Sequence, residues 1–282
     1  MTEAENSPHP VPEPVSRAAN GHIPVALSSA SVYPLTAHDA FAVAHDLGYD
    51  GVEIMVTNNA TSQNADALLT LSERYQQPIL AIHAPTLLLT QQVWGSAWNK
   101  IQRSAEMAAK LGTDVVVVHP PFRWQNGYAE TFAQGVREIS ESFGIRIAVE
   151  NMYPWRMRGR EALAYLPHWD PVDQDYDDVT WDFSHAATAD VSSLDAVRAL
   201  GPRLRHVHLT DGTPSGRDEH LIPGYGQQEC AEVLSYLGSS GFDGAVVAEI
   251  STRKAKGAGE REEWLGETLD FARRHLGQTP SQ

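Results

Sequence analysis

Cysteine is nearly absent from this chain. Cys230 is the only one among 282 residues, so an internal disulfide and a thiolate-built metal site are both excluded, and a reducing compartment fits. Long apolar runs are absent too: none approaches the ~20 residues that a membrane-spanning helix needs. Positive charge is scarce. Lys and Arg number 21 against 36 Asp and Glu, and the resulting net charge of −15 opposes broad contact with a polyanion, which argues against a nucleic-acid protein. The N-terminus lacks a basic start followed by an apolar stretch. Residues 1–22, rich in Pro, Glu, Ser and Asn, read as a disordered tail and not a signal peptide, so cytoplasmic residence is expected. A Gly-rich phosphate turn is also missing, because Ser28-Ser-Ala-Ser31 follows the first apolar run.

What is present is a regular alternation. Ile23–Ser28, Val52–Val56, Ile79–Ala84, Val115–His119, Arg146–Glu150, Val179–Phe183, Leu204–Leu209 and Gly244–Ile250 read as eight strands. Helices fall between them: Ala37–Leu47, Ala65–Tyr75, one ending at Leu111, Tyr128–Phe143, Leu194–Leu200, Glu229–Leu237 and Glu262–His275. Gly48, Gly112 and Gly144 stop three of them. The least regular segment, 154–178, carries Arg156, Arg158 and Arg160, a short helical patch, and an acidic run from Asp170 to Asp178 that reads as a solvated loop. Eight strand–helix units over about 250 residues predict a single α/β domain, a (β/α)8 TIM barrel over 23–277 with a short tail at 278–282. An open doubly wound sheet is the alternative, and the missing phosphate turn weighs against it.

Six apolar runs end on a titratable side chain: His83, His119, Glu150, Asp182 with His185, His208 and Glu249. A buried strand ending on a carboxylate is costly unless that group is paired, protonated or bound to metal. In a barrel these ends share one mouth, where active sites lie. Residues two apart on a strand share a face, so His206 sits one layer below His208 and reads as a hydrogen-bonded core histidine. Asp182 and His185 are three apart, which puts His185 just beyond its strand. Any one of these histidines alone has an ordinary structural explanation. Together, without a metal, they lack compensating partners. Carboxylate and imidazole donors suit Mn²⁺, Zn²⁺, Fe²⁺ or Co²⁺.

From about Ile23 to the C-terminus the chain resembles the xylose isomerase-like barrel superfamily, which joins sugar isomerases and epimerases to endonuclease IV-type AP endonucleases. Asp182-Phe-Ser-His185, His208-Leu-Thr-Asp211 and Pro223-Gly-Tyr-Gly226 carry the resemblance. It implies, for the epimerase branch, one divalent metal on Glu150, Asp182, His208 and Glu249. For the endonuclease branch it implies three metals. His83, His119 and Glu150 would hold one, the epimerase four a second, and His185, Asp218 and His220 the third. The endonuclease's His-x-Ser and Gly-Gly loop is missing, and Ala26-Leu-Ser-Ser-Ala-Ser-Val-Tyr33 stands in its place.

Three activities follow. The first is a metal-dependent isomerase or epimerase of a small sugar, sugar phosphate or related polyol or keto compound. In it Glu150 and Glu249 move a proton through an enediolate and His185 holds a substrate oxygen. The second is a multinuclear metal phosphodiesterase like the AP endonucleases. The third is a non-catalytic binder that keeps the site. The first is preferred because the loops do not resemble DNA-binding ones. Arg217, Asn151 and Trp124 are expected to contact substrate. Arg123, Arg156, Arg158, Arg160, Arg217, Arg253, Lys254 and Lys256 all follow strands, so an anionic substrate is expected. A homo-oligomer is compatible with the composition.

Overall fold

The β-branched runs become strands that are covered on both sides, as a parallel barrel requires. The computed structural model describes residues 22–278 except 87, 89, 158 and 159. In chain order its strands are β1 (Val25–Ser28), β2 (Gly51–Met55), β3 (Ile79–His83), β4 (Val115–Val118) and β5 (Arg146–Glu150). An outlying antiparallel hairpin follows, β6 (Trp155–Met157) with β7 (Arg160–Ala162). The remaining strands are β8 (Asp178–Asp182), β9 (Leu204–Leu209) and β10 (Ala245–Ala248). The hairpin aside, the strands pair in parallel and close on themselves: β1 lies between β10 (Val25 opposite Val246) and β2 (Ala26 opposite Gly51). The helices are α1 (Ala37–Leu47), α2 (Ala65–Tyr75), α3 (Ala97–Leu111), α4 (Asn126–Phe143), α5 (Phe183–Ala189), α6 (Ser193–Leu200), α7 (Cys230–Ser240) and α8 (Ala258–His275). The expected barrel is the fold observed.

Strand alternation divides the core in two. One set of side chains, including Val25, Leu27, Ile54, Ile82, Val116 and Val149, packs outward against helix residues such as Phe41, Ile101 and Phe132. The other faces inward and is made of small groups, Ala26, Leu80, Ala245 and Val247, with Ala81, Val115, Val117 and Ala148. Gly48 and Gly112 end α1 and α3 in the left-handed conformation (φ 80° and 72°), where glycine carries no Cβ penalty.

Two expectations need correction. The segment after β5 holds the hairpin and not a helical patch. Its backbone pairs as Trp155 with Ala162 and Arg156 with Glu161, and Phe122, Met152, Ala164 and Tyr165 form a separate apolar cluster beside it. The stretch after the sixth barrel strand, where no helix is expected before Leu194, carries α5 at once. The acidic run is only partly solvated: Asp177 pairs with Arg137 at 2.8 Å and Asp178 with Arg205 at 2.9 Å. Of the two expected tails only His22 and Gln278 are described, and Arg158 lies outside the described residues. Among the described residues no helix is long and apolar enough to cross a membrane.

Candidate metal centre

Inward alternation delivers the site. Ala81 is followed two residues on by His83, Val117 by His119, Ala148 by Glu150, Thr180 by Asp182, His206 by His208 and Val247 by Glu249, so each polar group caps an inward row. All six are buried except His119, whose side chain is 17% exposed. Asp182 also caps α5. Its Oδ1 accepts the main-chain N–H of His185 at 2.6 Å, and this turn brings His185 back over the mouth. Asp218 and His220 come from the loop between β9 and α7. There Ser184 Oγ donates to Asp218 Oδ1 (2.7 Å) and accepts the N–H groups of Glu219 and His220 (both 3.0 Å).

Four donor sets result, each with its ligand atoms within 4.8 Å of one another: three at the mouth, namely His83, His119 and Glu150; Glu150, Asp182, His208 and Glu249; and His185, Asp218 and His220; and a fourth beneath them, Glu53, His206 and His208. All nine expected ligands are thus brought together, and Glu150 joins two of the sets. The outer nitrogen of several histidines is already engaged. Nδ1 of His83 donates to the Ala84 carbonyl at 2.9 Å, that of His185 to the Asn151 carbonyl at 2.8 Å, and that of His220 to the Glu249 carbonyl at 2.7 Å. Each therefore presents Nε2 to the cavity. His208 is turned the other way, with Nδ1 2.8 Å from Glu150 Oε1 and 2.9 Å from Glu249 Oε2.

The electrostatics carry the mark of a cation site. Burial opposes ionisation of Glu150, but the His208 and His119 charges outweigh it and hold the carboxyl well below the usual range. Burial likewise pulls His185 down, and Asp182 and Asp218 override it, pushing the imidazole up to about 10. Burial pushes Asp182 up to about 6 despite His185 and His220. Several carboxylates at this mouth thus face imidazoles as their cationic partners, with Ser184 Oγ and the His185 N–H adding neutral hydrogen bonds to Asp218 and Asp182. Asp182 Oδ2 is buried and carries no hydrogen bond among the described residues, with His208 Nδ1 3.9 Å away, whereas Glu150 Oε2 faces His119 Nε2 at 2.9 Å and His83 Nε2 at 3.4 Å. An uncompensated buried oxygen costs about 1–3 kcal/mol, more when charged. The donor chemistry, the convergence and the orphaned Asp182 oxygen fit a divalent cation with oxygen and nitrogen ligands.

A family model described as a xylose isomerase-like TIM barrel matches residues 41–275. The chain belongs to that family. An uncharacterized protein of Mycobacterium tuberculosis (strain ATCC 25618 / H37Rv) is 47% identical over 274 residues, 90% of this chain and 98% of that one. Fructoselysine 3-epimerase of Escherichia coli O157:H7 is 23% identical over 241 residues, 76% of this chain and 85% of that one. The crystal structure of a D-tagatose 3-epimerase-like protein superposes with a TM-score of 0.65 at 24% identity, covering 89% of this chain and 99% of that one. That likeness is one of fold.

In this xylose isomerase-like barrel a cavity of about 330 Å³ opens over the donors, lined by His83, His119, Glu150, His185 and Glu249 with Arg253 at its rim. It lies at the small end of ligand pockets. The three expected substrate contacts sit elsewhere. Asn151 is buried, with Nδ2 donating to the Asp182 carbonyl (2.9 Å) and Oδ1 accepting the Asp182 N–H (2.6 Å), so its amide ties β5 to β8. Trp124 is 56% exposed and stacks on Phe122 at 4.5 Å. Arg217 is exposed and outside the cavity lining. Sequence reasoning also missed Glu53. This carboxylate on β2 is fully buried beneath the donors and bonded to His206, which is the expected core histidine. Its signal was a lone acid inside the apolar run Val52–Val56.

Proposed function

We propose that this protein is a metal-dependent isomerase or epimerase of a small sugar, sugar phosphate or related keto compound. The observation that carries the reading is the four-donor set in which Glu150 and Glu249, on strands separated in the barrel by β8 and β9, both reach His208 Nδ1 from the cavity wall. The relative named fructoselysine 3-epimerase supports a sugar-like substrate. Glu150, Asp182, His208 and Glu249 would hold a divalent cation, which would supply Lewis acidity that acidifies a C–H beside the substrate carbonyl. Glu249 takes that proton, and Glu150, once protonated from solvent, delivers one to the enediolate; two carboxylates from different parts of the barrel suit removal at one face and delivery at another. His185, whose Nδ1–H is spent on the Asn151 carbonyl, faces the cavity with Nε2 and holds a substrate oxygen.

A second reading rests on the two further donor sets at the mouth: with all three filled, the site suits a multinuclear phosphoesterase. Proton transfer separates the two. Ketoses, aldoses and their phosphates are incubated with the protein in D₂O, and deuterium entry beside the carbonyl is followed by NMR. The isomerase reading expects deuterium there with one of them. It also expects Glu249→Gln to suppress the exchange far more than it weakens binding. Release of phosphate or cleavage of an ester without any exchange would move the protein to the phosphoesterase reading.

A further inference from the structure

Below the donors lies a carboxylate that the proposed chemistry does not use. Glu53 is fully buried, and its Oε2 accepts from two imidazoles of β9, His206 Nε2 at 2.8 Å and His208 Nε2 at 3.2 Å. Its other oxygen, Oε1, accepts from Ser28 Oγ at 3.1 Å. An ionised carboxylate only accepts hydrogen bonds, so both histidines must carry their proton on Nε2. For His208 that leaves Nδ1 as the nitrogen facing Glu150 and Glu249. The arrangement differs from its neighbours. His83, His185 and His220 are each held through Nδ1–H on a main-chain carbonyl and present Nε2. His208 alone among these is held by a carboxylate, through the opposite nitrogen.

We infer that Glu53 is a positioning residue that selects Nδ1 of His208 as the metal-ligating nitrogen, locking tautomer and ring orientation through the Nε2–H hydrogen bond. A carboxylate behind a ligating imidazole raises its basicity as well as fixing it, and removal of such a partner typically weakens metal affinity about 10–100-fold. His206, bonded to the same oxygen at 2.8 Å, steadies the carboxylate from the layer below. The inference rests on the reading of His208 as a ligand. It does not depend on which reaction the site performs.

The test uses Zn²⁺ and no substrate. The full chain, with ¹⁵N-labelled histidine, is titrated with Zn²⁺, and His208 is assigned by comparison with His208→Gln. Its two nitrogens are then distinguished by long-range ¹H–¹⁵N correlation. The expected spectrum has zinc on Nδ1 and a proton on Nε2. Zinc on Nε2, or a proton on Nδ1, overturns the inference in wild type, whether or not any variant folds. Glu53→Gln keeps one oxygen that can accept from both imidazoles and removes only the charge, whereas Glu53→Leu removes the acceptor altogether; the leucine variant is the decisive one. It should weaken zinc binding, measured by chelator competition on folded protein, by about 10–100-fold, and Glu53→Asp should restore part of the loss. An affinity within about twofold of wild type would leave Glu53 a packing element only. Loss of one whole zinc equivalent while the others bind normally would instead make Glu53, His206 and His208 a separate metal site, and would equally overturn the positioning role. If wild type binds no zinc, the reading of His208 as a ligand fails and this inference with it; each of the three other negative results sinks the role of Glu53 alone.

Discussion

Asp211→Asn should destabilise the fold by an amount that the hydrogen bonds allow to be worked out. Asp211 is fully buried, and its carboxylate accepts four main-chain N–H groups. Oδ1 takes those of Gly212 at 2.8 Å and Gln228 at 3.1 Å, and Oδ2 those of Gly224 and Gly226 at 2.9 Å each. The glycine at 226 follows from this arrangement, because a Cβ there would overlap both Asp211 Oδ1 and the Gly212 carbonyl. Asparagine keeps the shape but replaces one oxygen with NH₂, setting a donor against two donors whichever way the amide turns. Two charge-assisted bonds are lost, and two N–H groups lose their acceptor. At about 1–3 kcal/mol for each abandoned group, and with Gly224 exposed enough for water to serve it, the expected loss is about 2–4 kcal/mol. For a chain of this size that lowers the melting temperature by roughly 4–16 °C. The assay is far-UV circular dichroism on metal-free protein at one fixed pH. The loop pinned by Asp211 carries Asp218 and His220, so zinc binding at their set should weaken as well. A melting temperature within about 1 °C of wild type would refute the claim that this carboxylate organises the loop.

Two other outcomes are expected. In the metal-free protein His185 is pushed up to about 10, and His208 and His220 stand well above their ordinary value, in each case because surrounding carboxylates outweigh the opposing effect of burial. A histidine whose folded pKa exceeds its unfolded value of about 6.5 contributes stability that is complete below that pH and is lost as pH rises through the folded value. Melting temperatures of metal-free protein should therefore fall from about pH 6.5 towards 10; a flat or rising curve there contradicts the imidazolium–carboxylate account. Arg253 lines the cavity rim, its guanidinium 4.2 Å from the Tyr33 ring centroid, and no ion pair engages it among the described residues. If it receives an anionic group, Arg253→Ala should lower kcat/KM for a phosphorylated substrate by about 10–100-fold and barely change that for the neutral sugar. Equal losses for both, or efficiencies that do not respond to salt, would discard the anionic subsite.

The barrel was legible because its signal is redundant. Alternation of apolar runs with amphipathic stretches recurs along the whole chain, and period-two alternation decides which side chains point inward. That rule carries Ala148 to Glu150 and Val247 to Glu249 without further information. The same rule holds Glu53, but an acid in mid-strand has no ending to mark it, and its partners on β9 lie 153 and 155 residues away. The scaffold bonds of Asn151 were hidden for a related reason: a polar residue after Glu150 faces either ligand or scaffold, and its bonds to the Asp182 main chain depend on a strand 31 residues away. Helix α5 was missed because its small residues, Ala186-Ala-Thr-Ala189, have no amphipathic stripe, and its start depends on Asp182 acting as its cap. The hairpin of β6 and β7 is three residues a side, too short for periodicity to speak.

Metal content tests most directly whether this cluster holds a divalent cation. Elemental analysis of purified wild-type protein and of Glu150→Ala, both shown to be folded, gives identity and equivalents per chain together. At least one equivalent of a transition metal is expected in wild type, and its loss in Glu150→Ala, since Glu150 belongs to two of the donor sets. One equivalent accords with the isomerase reading and three with the phosphoesterase. Full retention of metal by Glu150→Ala, or wild-type protein that takes up none from solutions of Mn²⁺, Zn²⁺, Fe²⁺ or Co²⁺, would contradict the assignment.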